Sequence, residues 1–564
     1  MKRSLLILLA LCTLLSFTSC AENFKAPSPS GGGAGNKPDD NFEFTPPDDN
    51  PKSNIKVASW TAHSFVKTAA NSAAPSTTST SYKVYMAKGE TEGCQVVLRA
   101  EASAGGLSLK CVYKEENALD YQIHILDTTY SINGSLLPDP ATVYTEGDRF
   151  NAKARISLPF LIEFTSNSKT EAGHYPYVFE VRDSLDKTVA QYVLIVRVWD
   201  ITRPEKLSYQ SSIGITPKDI TTHFFGHQTN LPEDVYLNYY NLLLEHNLSA
   251  RDLPYDILDE RADAYMSDPC VTAFRVPHDV SDETLQEYRK KLKTNNKWLK
   301  KAYFMPMTEP DTVEEIEEFV TIAEHLQSIC PEIRITAPFA EDLQIKEMWD
   351  TTNIVLWDQI NAMKGWCTLW CPKLCLWDDE VSYGKHDYVH SMSFEARMRK
   401  MMDESFGVWT YLNHTPGAPY TSLSAGDSGY NQRILFWQQY QRGIHGFVYW
   451  SSTGWNTHRK VNPWDSLDTG LYDANKKRVY GDGILFYPGN QISATPTVSL
   501  RMKIMRDGID DMELLMMAAK TLGNKWVNEK VNSITSSLTS IEATEDAFVQ
   551  IRIEIGSALE KALP

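Results

Sequence analysis

The chain has 564 residues, with 42% hydrophobic and 23% charged; that is too long for one core, so roughly two to four globular domains are expected. A net charge of −17 excludes the basic face that phosphate binding needs, and with it nucleic acid as a partner. The 14 Trp, 27 Tyr and 21 Phe are mostly core, and the surplus of Trp fits sugar binding, where the apolar face of a pyranose packs on a ring.

In chain order, Lys2 and Arg3 form a positive n-region, Leu5 to Leu15 an apolar h-region, and Phe17-Thr-Ser-Cys20 resembles a bacterial lipobox, with Phe17 where leucine is usual. Residues 1–20 are therefore expected to be a lipoprotein signal peptide. Cys20 would be lipidated, and acyl chains would hold the chain in the cell envelope, on a periplasmic or cell-surface membrane leaflet. Residues 21–54, rich in Pro, Ser, Gly, Asn and Asp with Gly31-Gly-Gly-Ala-Gly35, read as a flexible linker.

Residues 55–204 carry short runs rich in Val, Ile, Tyr and Phe, such as Tyr82 to Met86, Cys94 to Ala100, Ile156 to Phe164 and Tyr192 to Val198. Turn residues such as Gly89 and Asn133-Gly134 punctuate them. This spacing predicts a β-sandwich. Its expected role is structural support, with glycan binding as the alternative. Cys94 and Cys111 leave open a disulfide across a sheet, which export permits.

After Arg203-Pro204 the pattern changes to strands alternating with long amphipathic helices. Candidate strands are Tyr209 to Ile215, Leu248 to Leu253, Val271 to Val276, Ala302 to Met307, Ile333 to Phe339, Cys367 to Pro372, Gly407 to Leu412 and Gly446 to Trp450. Ile354 to Trp357 is also strand-like and marks an insertion. Helices are expected over Pro232 to His246, Ser281 to Trp298, Val313 to Cys330, Ser393 to Glu404 and Gln432 to Gly443. About eight such units predict a (β/α)8 TIM barrel over residues 205–490. Residues 491–564 read as a helical cap, two helices over about Val498 to Leu522 and Asn524 to Leu563. Arg501, Arg506, Asp507, Asp510 and Asp511 crowd the first of these as a salt-bridged network holding cap to barrel.

Chemistry in such a barrel sits at the C-terminal ends of the strands. There Lys301-Ala-Tyr-Phe-Met-Pro-Met-Thr-Glu-Pro-Asp311 delivers Glu309 just before a helix. Two roles stand open for it, a general acid or an ordinary charge near the helix's positive end. Other strand ends carry Arg251 and Asp252, Tyr411, Asn413 and His414, and Trp450 and Trp455 with Ser451 and Ser452. Polar groups among aromatics are the usual lining of a sugar pocket. A second carboxylate is harder to place. The seventh strand ends in Tyr411-Leu-Asn-His-Thr415, and Asp358, Asp378, Asp379 and Glu380 lie nearest in sequence. A single carboxylate points to a substrate that supplies its own nucleophile, as a 2-acetamido group does. With Asp358 as base, the alternative is an inverting scheme.

The sequence has no Gly-rich phosphate loop, Gly-x-Ser-x-Gly elbow or His-Glu-x-x-His. Cys367, Cys371 and Cys375 are spaced by four without a completing ligand and read as buried thiols. No metal or cofactor is expected.

Several segments resemble the glycoside hydrolase family 123 catalytic domain and its neighbour, the domain-of-unknown-function 4091 family. They are Gly407-Val-Trp-Thr-Tyr-Leu412, Gln432-Arg-Ile-Leu-Phe-Trp437, Gly446-Phe-Val-Tyr-Trp450, Gly483-Ile-Leu-Phe-Tyr-Pro-Gly489 and Ser499-Leu-Arg-Met-Lys-Ile-Met-Arg-Asp-Gly-Ile-Asp-Asp-Met-Glu513. Lys88-Gly-Glu-Thr-Glu-Gly-Cys-Gln95 and Ala172-Gly-His-Tyr175 resemble motifs of the β-sandwich preceding such barrels. The resemblance implies a β-N-acetylgalactosaminidase-like enzyme with substrate-assisted catalysis, whose signature is Asp-Glu followed by Pro. Here the matching residues are Thr308, Glu309 and Pro310. Glu309 carries over as acid/base. Thr308 offers a hydroxyl where the signature has a charge. The leading expectation is thus an exported glycoside hydrolase acting on a carbohydrate, and the alternative is a glycan-binding or scaffold lipoprotein on a degenerate barrel.

Overall fold

The N-terminal half is built from strands whose side chains are covered on alternate or on both faces. The computed structural model describes residues 42–47, 50–128, 131–132, 134–310, 312–339, 363–377 and 407–563. Ten strands come first: β1 Val57–His63, β2 Ser81–Lys88, β3 Thr91–Ala100, β4 Ala104–Lys114, β5 Asp120–Leu126, β6 Ala141–Tyr144, β7 Phe150–Ala152, β8 Ser157–Thr165, β9 Gly173–Arg182 and β10 Thr188–Thr202. They form two five-stranded sheets, ordered β1-β3-β8-β5-β6 and β2-β10-β9-β4-β7. A core including Val96, Leu98, Phe160, Ile162, Tyr177, Phe179 and Leu194 fills the space between them. β3 and β8 are buried nearly throughout, as expected of strands covered on both faces. Gly93 is required where they pair: a Cβ there would lie 2.3 Å from the carbonyl oxygen of Ile162. Cys94 and Cys111 lie on strands of opposite sheets and are thiols, not a disulfide.

The second half carries parallel strands: β11 Gln210–Ile213, β12 Phe274–Arg275, β13 Ala302–Phe304, β14 Arg334–Ile335, β15 Pro338–Phe339, β16 Cys371–Pro372, β17 Thr410–Tyr411 and β18 Gly446–Tyr449. They pair as β11-β18-β17, β12-β13-β14 and β15-β16. Further backbone hydrogen bonds run between these groups. Ile213 donates to Ser249, Arg251 to Ile213, Arg275 to Arg251, Leu369 to Ile335, Trp409 to Trp370 and His445 to Val408. Side chains alternate in direction, with period two. Tyr303, Trp409, Tyr411 and Val448 pack in one small cluster with Leu369 and Cys371. Their neighbours Phe304, Val408, Phe447 and Tyr449 join a larger core with the helices. Cys367, Cys371 and Cys375 are buried.

The helices Glu233–Glu245, Asp282–Lys293, Val313–Ile329 and Gly429–Arg442 fall where periodicity places them. The segments Ile354 to Trp357 and Ser393 to Glu404 lie outside the described residues. At the C-terminus the structure differs from expectation. Helix Leu500–Leu522 is followed by two helices, Asn524–Asn532 and Glu545–Ala562, instead of one. The intervening Ser533-Ile-Thr-Ser-Ser-Leu-Thr-Ser540 explains the break, because short hydroxyl side chains compete for backbone groups. Thr535 Oγ1 donates to the carbonyls of Ser537 and Ser540, and Thr544 caps the last helix.

The charges on helix Leu500–Leu522 also have unexpected partners. Arg501 pairs with Asp139 at 2.8 Å, Lys503 and Arg506 with Glu163 at 2.7 Å, and Asp510 with Arg203 at 2.9 Å. Asp139, Glu163 and Arg203 belong to the sandwich half or its end. The network thus joins helix to sandwich, while Arg433 and Trp437 tie Asp511 to helix Gly429–Arg442. An apolar layer of Phe65, Leu161, Trp199, Trp437, Ile504, Phe548 and Ile555 lies around these charges.

Candidate active site

Helix Val313–Ile329 closes its own N-terminus. Thr312 accepts from the Glu315 N–H, Glu315 reaches back, and the first-turn acids are Glu314 and Glu315. Glu309 precedes this cap and is not a helix-end charge. Pro310 disfavours right-handed helix at position 309, and Glu309 takes φ 51. That left-handed conformation costs a non-glycine residue about 1–3 kcal/mol. The Glu309 N–H donates to the Pro338 carbonyl at 2.7 Å and holds it.

The Glu309 side chain is 45% exposed. Its Oε1 accepts from the Tyr411 hydroxyl at 2.6 Å and lies 3.6 Å from Lys373 Nζ. Burial, then the Glu309 charge, push the Tyr411 phenol well above its ordinary value, so it stays a donor. Lys373 is buried. It donates to Thr415 Oγ1 at 2.6 Å and lies 5.5 Å from the centroid of the Tyr411 ring. Thr415 in turn donates from N and Oγ1 to Asn413 Oδ1, at 3.0 and 2.9 Å.

A second carboxyl, Asp482, sits on a turn between Gly481 and Gly483, with φ of 72 and 71. Its Oδ1 accepts from Tyr449 Oη at 3.1 Å and its Oδ2 from Trp450 Nε1 at 2.9 Å. Burial pushes it up to about 6, against those two bonds and the charges of Arg501 and Lys373. His414 Nδ1 lies 3.9 Å from Oδ2. Burial, then Lys373 and His458, hold the His414 imidazole below its ordinary value, while Glu309 opposes them. His414 thus feels the Glu309 charge and lies beside Asp482.

Arg251 donates from Nη2 to the carbonyls of Tyr449 and Trp450, at 3.2 and 3.0 Å, and so braces the end of β18. Asp252 is held by Arg275 through two bonds of 2.8 and 3.0 Å. Thr308 is exposed beside Glu309. Trp455 does not line this face: it is fully buried, donates to the Phe486 carbonyl at 3.0 Å and packs on His223 and Tyr239. An indole that completes the core cannot also present a face to a sugar. Asp358 lies outside the described residues, as do Asp378, Asp379, Glu380 and Cys20. Sequence reasoning missed Lys373 and Asp482. Lys373 directly follows a predicted strand end, and Gly481-Asp482-Gly483 is a turn signal enclosing an acid, so both had a usable cue.

Residues 278–518 match the family model described as the glycoside hydrolase 123 catalytic domain. In fold the chain is similar to a family 123 glycoside hydrolase from Clostridium perfringens, studied for the details of glycolipid glycan hydrolysis. The TM-score is 0.58 at 13% identity, covering 90% of this chain and 98% of that one. Also similar in part are a family 2 β-galacturonidase from Eisenbergiella tayi and a β-D-glucuronidase from Dictyoglomus thermophilum. The first covers 74% of this chain and 69% of its own at 11% identity, the second 68% and 88% at 10%, each with a TM-score of 0.26; likeness that low carries no argument. No curated protein matches the chain in sequence. The fold is that of the Clostridium perfringens structure, and residues 278–518 resemble a glycoside hydrolase catalytic domain. More particularly, the resemblance is to family 123, and the matched residues include Glu309, Lys373, Tyr411, His414, Trp450 and Asp482 but not Arg251 or Asp252.

Proposed function

We propose that the chain is an exported glycoside hydrolase that cuts a β-linked sugar, a 2-acetamido hexose foremost, with Glu309 as general acid/base. The supporting observation is Glu309 itself: an exposed carboxylate held in a left-handed backbone conformation and oriented by Tyr411. Strain at an over-determined position is a mark of function. In this reading the eight predicted βα units close as a (β/α)8 barrel, with Glu309 after the fourth predicted strand, Ala302 to Met307. Glu309 protonates the leaving oxygen while the acetamido oxygen attacks the anomeric carbon. Glu309 then takes a proton from the water that opens the ring so formed. Thr308 serves the acetamido group by hydrogen bonding alone, and a neutral donor stabilises the cationic intermediate less than a carboxylate does. An anchor at Cys20 would place this chemistry at a membrane surface.

The test compares wild type and Glu309→Gln on a panel of unactivated β-glycosides, with and without a 2-acetamido group. The expected loss is about 10²–10⁴-fold, and equal rates overturn the assignment. Thr308 and the closeness of Lys373 to Glu309 favour a second reading, a glycan binder without turnover. Sugar binding in calorimetry with no hydrolysis of any panel member would select it. Incorporation of labelled fatty acid, lost in Cys20→Ser, checks the anchor.

A further inference from the structure

The strand ends hold a second carboxyl that the acid/base scheme leaves unused. We propose that Asp482, together with His414, binds adjacent hydroxyl groups of the sugar ring and determines which monosaccharide the site accepts. This rests on the hydrolase reading and adds a specificity-determining residue to it.

The surroundings of Asp482 look built to present it. Its turn needs glycine on both sides, since both neighbours take left-handed φ. A Cβ on Gly483 would lie 2.0 Å from the Trp450 ring, and one on Gly454 2.6 Å from it. The indole can lie against this turn, with its N–H on Oδ2, only because those side chains are missing. The Gly483 N–H donates to Tyr449 Oη at 2.8 Å and so directs the phenol hydrogen at Oδ1. Arg501 fixes the turn from beneath. Its Nη1 donates to the carbonyls of Gly481 and Leu423, its Nη2 to Ile484 and Asp139, and its Nε to Asp139. Those five bonds use every N–H that a guanidinium has, so the nearby cation gives Asp482 charge but no hydrogen bond.

A carboxylate offers about four acceptor positions. Among the described residues, Tyr449 and Trp450 fill one on each oxygen. A buried carboxyl left with open acceptor capacity is costly. If Asp482 only held two aromatic side chains, an asparagine would serve: its oxygen would accept from Trp450 and its amide would donate to Tyr449 Oη. The charge is retained for something else. His414, at 3.9 Å from Oδ2, is beyond a direct hydrogen bond. It is the more open of the two, with its side chain 26% exposed against 3% for Asp482. A hydroxyl donating to Oδ2 and a neighbouring hydroxyl on the imidazole fit a vicinal diol. The charges that act on this pair are those of Glu309, Lys373, His458 and Arg501. The Glu309 charge acts on His414, which links the proposed acid/base to the hydroxyl reader.

The experiment titrates wild type, Glu309→Gln, Asp482→Asn and His414→Ala with four free sugars: galactose, glucose, N-acetylgalactosamine and N-acetylglucosamine. Kinetics on the matching aryl β-glycosides run alongside, and thermal melts verify folding. His414→Ala, at a half-exposed position, guards against a folding failure of the Asp482 variant. A hydrogen bond to a charged group is worth about 1.5–3 kcal/mol, or about tenfold and more in affinity. Asp482→Asn and His414→Ala should each raise Kd and KM by about tenfold, with a smaller effect on kcat, and bring the galacto/gluco preference towards one. Glu309→Gln should lower kcat and keep the preference. If wild type cleaves and binds, while Asp482→Asn matches it in KM and epimer preference, the Asp482 assignment falls and the hydrolase reading stands. If no sugar binds and none is cleaved, both fall.

Discussion

Two clusters of buried charge in this molecule differ in how far their members satisfy one another. Between sandwich and helices, Arg433 meets Asp511 through bonds of 2.8 and 2.9 Å and Glu92 at 2.6 Å. Arg552 reaches Asp511 at 2.5 Å and Glu90 at 3.1 Å, and Glu163 takes both Lys503 and Arg506. At the strand ends, among the described residues, Glu309 has one phenol and a lysine at 3.6 Å, and Asp482 has two neutral donors. Both sets are carboxylates with cations near. The first is saturated and builds the scaffold. The second keeps acceptor capacity open, which is what a substrate needs.

The largest effect that can break this comparison is on the saturated side. Asp511→Ala leaves Arg433 and Arg552 without their shared carboxylate, and should cost about 3–5 kcal/mol of unfolding free energy in a denaturant titration. A loss below 1 kcal/mol (about a tenth of typical total stability) would mean the network is not the scaffold. Next is Asp482→Asn. The folded carboxyl titrates at about 6, raised by burial, against an ordinary 3.8, so the unfolded chain binds fewer protons between those values. Stability therefore falls as pH rises from about 4 to about 6 and stays low above. The variant should be more stable than wild type at pH 7.5, by up to about 3 kcal/mol, and lose that advantage below pH 4. An open site shows itself by gaining stability when its charge is removed. Lys373→Met comes third: it removes the ammonium beside Glu309 and the donor to Thr415, and turnover should fall by about tenfold. The smallest effect concerns His246, which burial, then Lys503 and Arg506, hold well below its ordinary value. The unfolded histidine takes a proton as pH falls through about 6.5 and the folded one does not, so acid costs stability. His246→Asn should flatten the slope by at most about 1.4 kcal/mol per pH unit.

Much of the fold was legible because period-two and helical patterns are local. Strand positions from β11 to β18 and the long helices fall within the predicted runs. The single C-terminal helix failed at a Ser/Thr-rich stretch that periodicity alone does not weigh. Glu309 was legible as a strand-end acid before proline, yet its choice between helix charge and site needed Tyr411, 102 residues away. Asp482 was harder. A stretch of more than thirty residues, including the paired strands Asp468–Tyr472 and Arg478–Tyr480, separates it from β18, and bonds such as Gly454 N–H to the Gly483 carbonyl and those to Tyr449 and Trp450 bring it back to that strand's end. Trp455 misled for the reverse reason: a strand-end position promised a lining residue, but packing on Tyr239 and His223 consumed the indole.

Asp139 carries a last consequence. It precedes β6, in the half that holds neither Glu309 nor Asp482, yet its carboxylate takes Arg501 through two bonds of 2.8 Å and the Tyr487 hydroxyl at 2.5 Å. Arg501 in turn grips the turn bearing Asp482. A chain cut at residue 205 would leave a fully buried guanidinium without its counter-charge, directly under that turn. The half that carries Glu309 and Asp482 is thus no portable cassette. Gene fusion or recombination at the apparent border would separate a keystone from its arch, and the two halves are expected to be inherited together.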